Sequence, residues 1–276
     1  MTGRRSTRPT FVLVHGSWQA GWSWAEVQAH LDQASYCSVA PDLPGHVAND
    51  ERMTVVHDDY VDTVLATLRS EVDGLAALVG HSFGGSVISR VAERLPERCH
   101  SLIYLDAFVP RHGESVADIL PAPFVEMLTH LSTRSPDSSV ALPFEAFRGN
   151  FANSVDEITA RAIFERFTPE PYQPIFDRLE LPTFFQLGLP ATYITLQDDR
   201  SMPAGLFHPG QSSRLPHARV MEIDGDHEAM LTAPGRVASA LIQATEAVSH
   251  GPRARDMRAM RSCSPPSTRS AERTQA

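Results

Sequence analysis

Six short apolar runs rich in β-branched residues alternate with stretches of helical periodicity, the signature of a parallel sheet whose strands are joined by crossover helices. The runs are Phe11–Val14, Ser38–Ala40, Leu75–Val79, Ser101–Leu105, Ala191–Leu196 and Ala218–Ile223. Between them, Val56, Tyr60, Val64, Leu65, Leu68 and Val72 recur at helical spacing, as do Val87, Ile88, Val91 and Leu95, and later Val237, Leu241, Ala244 and Val248. These are expected core-facing stripes. An open α/β sheet binds ligands outside the carboxyl ends of its strands, so the segments after each run are where chemistry is expected.

The interval from about 108 to 190 breaks the alternation. It is too long for a simple crossover and too rich in Phe, Leu and Pro for a disordered linker. It is expected to be a mostly helical cap inserted in a domain spanning 11–250, after a flexible N-terminus at 1–10. Residues 251–276 hold many Arg, Ser and Pro and few large apolar residues, and are expected to be disordered.

The net charge of -9 hides an asymmetry, because the last 26 residues carry six Arg while the first 250 carry 18 Arg against 31 acids. Such an acidic body argues against a nucleic-acid partner. All 24 basic residues are Arg, so no lysine base or Schiff base is available. No apolar run approaches the roughly 20 residues that span a bilayer, and no membrane partner is expected. The three cysteines, Cys37, Cys99 and Cys263, show no metal-ligand spacing and leave at least one unpaired. The basic start runs into a short apolar segment unlike a signal peptide, so a reducing, cytoplasmic location is expected.

The sharpest local signal is Gly80-His81-Ser82-Phe83-Gly84-Gly85, directly after the strand LAALV and before the helix SVISRVAERL. A G-x-S-x-G turn there forces Ser82 into a tight strand-to-helix elbow with its hydroxyl exposed at the helix N-terminus. A serine hydroxyl needs a base within reach, itself oriented by a third group. Of 12 His, His227 stands out because Asp224-Gly225-Asp226-His227 follows the last expected strand. For the third group, the strand YITL runs into Gln197-Asp198-Asp199, whose two carboxylates point to opposite sides of an extended segment, so only one can meet His227. Asp106, at the end of SLIYL, is another candidate, with a capping or pocket role as the alternative. An oxyanion hole is expected from the backbone N–H groups of Phe83 and of Ser17, in the loop His15-Gly16-Ser17-Trp18 after the first strand. Gly16 is expected to permit that loop's sharp turn, and His15 to brace it. Gly16, Trp18, Asp106 and Phe108 are the expected substrate-contacting residues.

These segments resemble the α/β-hydrolase superfamily, nearest its branch of plant methyl esterases, hydroxynitrile lyases and related bacterial esterases. The carriers are FVLVHGSWQAGWSW at 11–24, PDLPGH at 41–46, VGHSFGG at 79–85, YLDAFVP at 104–110, YITLQDDRSMP at 193–203 and DGDHEAML at 224–231. The resemblance implies an α/β-hydrolase fold with about six mostly parallel strands flanked by helices and an inserted helical cap. In that branch the catalytic acid lies four residues before a Pro, which favours Asp199, before Pro203, over Asp198. Its hydroxynitrile lyases carry Thr and Lys where this chain has Gly16 and Glu228, which argues against cyanohydrin cleavage. The implied function is cofactor-free and metal-free serine hydrolysis of a carboxylic ester or lactone of a small, largely apolar molecule, by a monomer or homodimer; the absence of lysine points to a GC-rich bacterial genome. The alternatives are a lyase, cyclase or acyl-transfer reaction in the same pocket, or ligand binding with vestigial hydrolysis.

Overall fold

The computed structural model describes residues 8–47 and 51–249. The expected disordered tail, most of the flexible N-terminus and Cys263 lie outside the described residues. Among those described, six parallel strands form one sheet: β1 (Thr10–Val14), β2 (Ser38–Val39), β3 (Ala76–His81), β4 (Cys99–Leu105), β7 (Ala191–Leu196) and β8 (Arg219–Ile223), in the order β2-β1-β3-β4-β7-β8. A separate antiparallel pair, β5 (Ser139–Val140) and β6 (Glu170–Pro171), lies in the interval between β4 and β7. All six expected strands are present in the sheet.

Alternation along the strands divides the core into two layers. Phe11 and Leu13 of β1, Ala77 and Val79 of β3, and Ile103 and Leu105 of β4 pack with Val27 and Leu31 of α1 (Ala25–Gln33) and with Val237 and Leu241 of the C-terminal helix (Pro234–Ser249). Val12, Val14, Leu78 and Tyr104 face the other way, against α2 (His57–Ser70), α3 (Gly84–Arg94) and the interval after β4. The stripe on α2 buries Tyr60, Val64, Leu65 and Leu68, but Val56 is 39% exposed, since it precedes the first helical residue. Its backbone N–H is instead bonded to the Asp59 carboxylate at 2.9 Å, supporting the helix start in the manner of a capping box.

The interval 108–190 contributes no strand to the main sheet. It contains α4 (Ala122–Ser132), α5 (Glu157–Phe164), the β5-β6 pair and short irregular turns. Asp156 caps α5 by accepting the Thr159 N–H at 2.7 Å. Because β4 and β7 pair directly, with Tyr104 opposite Tyr193, the chain leaves and re-enters the sheet at neighbouring positions. No helix among the described residues is long and apolar enough to cross a membrane.

Candidate active site

Strand β3 delivers Ser82 to the carboxyl edge of the sheet with φ of 51°. That left-handed value is uncommon for a residue with a side chain and persists only where surroundings enforce it. Here the Ser82 N–H bonds to Leu105 O at 3.2 Å and its C=O accepts the N–H groups of Gly85 and Phe108. A Cβ at Gly80 would fall 2.6 Å from the Gly84 carbonyl oxygen, so the elbow closes only on glycine. From Ala76 to Ser89 every residue is buried except Ser82, and from Phe11 to Gly21 every residue is buried except Ser17. The two serines are therefore the accessible points of adjacent buried strand ends.

The loop after β1 meets this elbow at Gly16, where a Cβ would lie 2.9 Å from His81 Nδ1 and 3.0 Å from Ser82 Cβ. Gly16 is thus required by close approach. The sharp turn expected of it falls instead on Trp18, whose φ is 64°. His15 braces the loop as expected: Nε2 accepts the Leu43 N–H at 3.1 Å, which leaves Nδ1–H to donate to Gly16 O at 2.8 Å. Burial and neighbouring His46 hold the His15 pKa well below its ordinary value, so it stays neutral. Neither the Ser17 nor the Phe83 N–H meets an acceptor among the described residues.

His227, fully buried, places Nδ1 2.7 Å from Asp199 Oδ2. The other Asp199 oxygen accepts the Ser201 N–H at 2.7 Å, and Ser201 Oγ lies 3.0 Å from His227 Nδ1. Asp198 turns the opposite way, its carboxylate accepting the Gly225 N–H at 3.3 Å. Burial works against a charge on His227, but the charge and hydrogen bond of Asp199, with contributions from Glu228 and Asp106, outweigh it and raise the pKa to about 9. Burial likewise opposes ionisation of Asp199, and the His227 charge with both hydrogen-bonding partners overcomes it, leaving its pKa below the usual carboxylate value. Around the imidazole lie Phe207, stacked at 5.7 Å between centroids, Phe151 edge-on at 5.2 Å and His81 at 4.6 Å.

Asp106 ends β4 with φ of 32° and is 1% exposed. Its Oδ2 accepts the Leu196 N–H at 2.9 Å, while Oδ1 has no hydrogen-bond partner among the described residues. Burial, then the Asp199 charge, raises its pKa well above the ordinary carboxylate value. Phe108 packs on Phe207 at 5.3 Å, and Trp18 meets Phe151 edge-on at 5.8 Å. The other two tryptophans diverge: Trp24 is buried in the opposite core layer, and Trp22 packs against Phe167 and under the Arg166 guanidinium.

Several residues around this site were not singled out by sequence. Ser201 was detectable only as a hydroxyl two residues past an aspartate. Gln19 donates to the buried Glu228 carboxyl at 2.6 Å, tying the loop after β1 to the histidine loop. Burial raises the Glu228 pKa to about 8. Glu170, on β6, accepts the Trp18 N–H at 2.8 Å and carries no local sequence signal. A surface cleft of about 530 Å³ between β8 and the C-terminal helix, lined by Met221, Ile223 and Arg236 among others, contains none of these groups.

The fold has counterparts among known proteins. Residues 11–240 match the Alpha/beta hydrolase family, and the chain belongs to that family. Several of its relatives within that family are esterases. The carbendazim-hydrolysing esterase of Nocardioides sp. (strain SG-4G) is 39% identical over 116 residues, covering 40% of this chain and 47% of that protein, so the match spans about half the relative's length. The polyneuridine aldehyde esterase of Rauvolfia serpentina is 25% identical across 86% of this chain and 95% of its own. An extracellular α/β-hydrolase from a Paenibacillus species, described as sharing structural and functional homology with tobacco salicylic acid binding protein 2, superimposes with a TM-score of 0.82 at 35% identity, over 86% of this chain and 98% of that one.

Proposed function

We propose that this α/β hydrolase cleaves the carboxylic ester or lactone of a small, largely apolar molecule through an acyl-enzyme on Ser82, without cofactor or metal. The observation that carries the reading is the buried Asp199–His227 hydrogen bond at 2.7 Å, located at the same sheet edge as a partly exposed serine held in a left-handed elbow. Ester hydrolysis as the reaction class is supported by the esterases of Nocardioides and Rauvolfia.

With Nδ1 of His227 engaged by Asp199, Nε2 is the nitrogen that takes the Ser82 proton. Ser82 Oγ attacks the ester carbon, and the oxyanion is met by the N–H groups of Ser17 and Phe83. The alcohol leaves with the proton from His227. Water, deprotonated by the same nitrogen, then attacks the acyl-enzyme and releases the acid, restoring Ser82. Asp199 orients the imidazole and stabilises its charged form. Phe108, Phe151 and Phe207 supply an apolar flank for the acyl or alcohol group. Asp106 supports the acid pair through β7, and Gly16 keeps the oxyanion loop against the nucleophile.

The substrate is a neutral small molecule, in keeping with the acidic body, and neither nucleic acid nor membrane is a partner in this reading. A reducing, cytoplasmic site of action is supported by the free thiols of Cys37 and Cys99, whereas the Paenibacillus relative is described as extracellular. The test is hydrolysis of p-nitrophenyl butyrate in water enriched in heavy oxygen. A burst of p-nitrophenol, one labelled oxygen in the butyrate and loss of turnover in Ser82→Ala are expected. Full activity in Ser82→Ala would sink the reading, and an unlabelled acyl product would redirect it to acyl transfer.

A further inference from the structure

We propose that Glu170 is a positioning residue that sets the oxyanion loop, so that the segment inserted between β4 and β7 controls transition-state stabilisation. The inference rests on the reading of the Ser17 N–H as an oxyanion donor.

Ser17 sits between two peptide units, each pinned by a different group. A trans peptide directs its C=O and N–H to opposite sides. The C=O of Gly16 is drawn to His15 Nδ1 at 2.8 Å, which turns the Ser17 N–H of the same unit away from His15. The next unit is held by its other end: the Trp18 N–H points at Glu170 Oε2, 2.8 Å away. Fixing both units fixes the backbone of Ser17 between them, and with it the direction of the N–H that belongs to the first.

The second pin carries the greater load, because Trp18 is a bulky residue at φ of 64° and needs its neighbours to keep it there. Its hydrogen-bond partners among the described residues all come from the inserted segment. Besides the bond to Glu170, the Trp18 C=O accepts the Thr168 N–H at 2.9 Å, and its indole Nε1–H donates to Val140 O at 2.8 Å. Val140 and Glu170 are paired residues of the β5-β6 ladder, so the indole and the backbone N–H are gripped from facing strands.

Glu170 is itself immobilised. It is wholly buried, with His46 Nε2 2.8 Å from Oε2 and the Tyr60 hydroxyl 3.3 Å from Oε1. The His46 ring packs edge-on against His15 at 4.9 Å between centroids, so the two pins of Ser17 are linked through His46. A buried carboxylate with hydrogen-bond partners at both oxygens is a firm stop for the Trp18 N–H, more so than a solvated side chain would be. Nothing in this arrangement touches the reacting atoms, so its effect on rate passes through Ser17.

The test compares Glu170→Asp, Glu170→Gln and Glu170→Ala with the parent enzyme, using p-nitrophenyl butyrate and a trifluoromethyl ketone. The ketone forms a hemiketal with Ser82 Oγ and places an oxyanion in the hole. Shortening the side chain in Glu170→Asp keeps the charge but withdraws the acceptor. Since removing an oxyanion donor outright costs about 10²–10³-fold, mis-setting one is expected to lower kcat by roughly 10- to 100-fold. Ketone affinity should fall in parallel with KM little changed. Glu170→Gln keeps an oxygen in place and is expected to lose least, and Glu170→Ala most. The Asp and Gln variants decide the matter if Glu170→Ala does not fold. An Asp variant with parental kcat and ketone affinity overturns the proposal, as does a loss confined to KM or a Gln variant as impaired as Asp. Ser82→Ala is assayed alongside: if it is inactive, a negative result at Glu170 condemns only the positioning role, and if it is active the catalytic reading falls and this proposal with it.

Discussion

Asp198 and Asp199 are neighbours in the chain yet serve different loops, Asp199 bonding His227 Nδ1 at 2.7 Å while Asp198 accepts the Gly225 N–H at 3.3 Å. Asp199→Asn is therefore expected to cut kcat by roughly 10⁴-fold, the penalty of neutralising the orienting acid of a triad. Asp198→Asn keeps an oxygen that can accept the Gly225 N–H at an exposed position and should leave kcat within a small factor of the parent. Steady-state kinetics on one ester settles it, and the reverse ranking would reassign the acid.

The pH dependence follows from the same pair. His227 works as a base only when neutral, and its pKa is raised to about 9, so kcat/KM should climb as pH rises from neutrality toward that value. In Asp199→Asn the main influence holding the proton is gone, and the midpoint of the residual activity should move down. A parental profile already flat at pH 7 would show that the His227 pKa is not raised in this way.

Glu228 gives a stability signature of opposite character to that of a salt-bridged carboxylate. Its pKa rises from 4.5 to about 8 on burial, so between those values the native state keeps a proton that the unfolded chain has released. Stability must fall as pH rises across that window. Glu228→Gln keeps an acceptor for Gln19 and removes the titration. Urea unfolding at pH 5 and pH 8 should show a smaller drop in the variant, by on the order of a few kcal/mol. An unchanged drop would mean that Glu228 does not titrate in this range.

Gly16→Ala tests the close approach of the first loop to the nucleophile. The new methyl would meet His81 Nδ1 at 2.9 Å and Ser82 Cβ at 3.0 Å, so one of them must move. Displacing a reacting group by a fraction of an ångström to an ångström is expected to cost about 10- to 100-fold in kcat/KM. Circular dichroism should still report a folded protein, and parental kinetics would show that the loop yields without consequence.

The strands were legible because burial on both faces of a parallel sheet leaves nearly continuous apolar runs, as in Phe11–Val14 and Ala191–Leu196. Ser82, His227 and the two aspartates were legible because each follows such a run. Element ends were less so: the periodic stripe continues through Val56 although the helix begins one residue later, and Leu75, counted in a strand, is 40% exposed just before β3 begins. Choosing between Asp198 and Asp199 needed more than alternation, since both orientations fit an extended segment. Glu170 was invisible for a physical reason. It lies between Pro169 and Pro171 in a stretch that reads as a turn, and its partners Trp18, His46 and Tyr60 are more than 100 residues away. Sequence periodicity reports faces of local elements and is silent on a single buried acceptor for a distant backbone N–H.

The direct pairing of β4 with β7 bears on how this scaffold can be re-engineered. Exchanging residues 108–190 for the corresponding segment of a relative would leave every ladder of the main sheet intact, which makes the exchange look permissive. The same exchange would strip Trp18 of all three of its long-range hydrogen bonds, to Val140, Thr168 and Glu170. A graft chosen only to reshape the substrate pocket should therefore be judged first by whether the donor segment supplies that trio, since a chimera lacking it would fold around an unsupported loop.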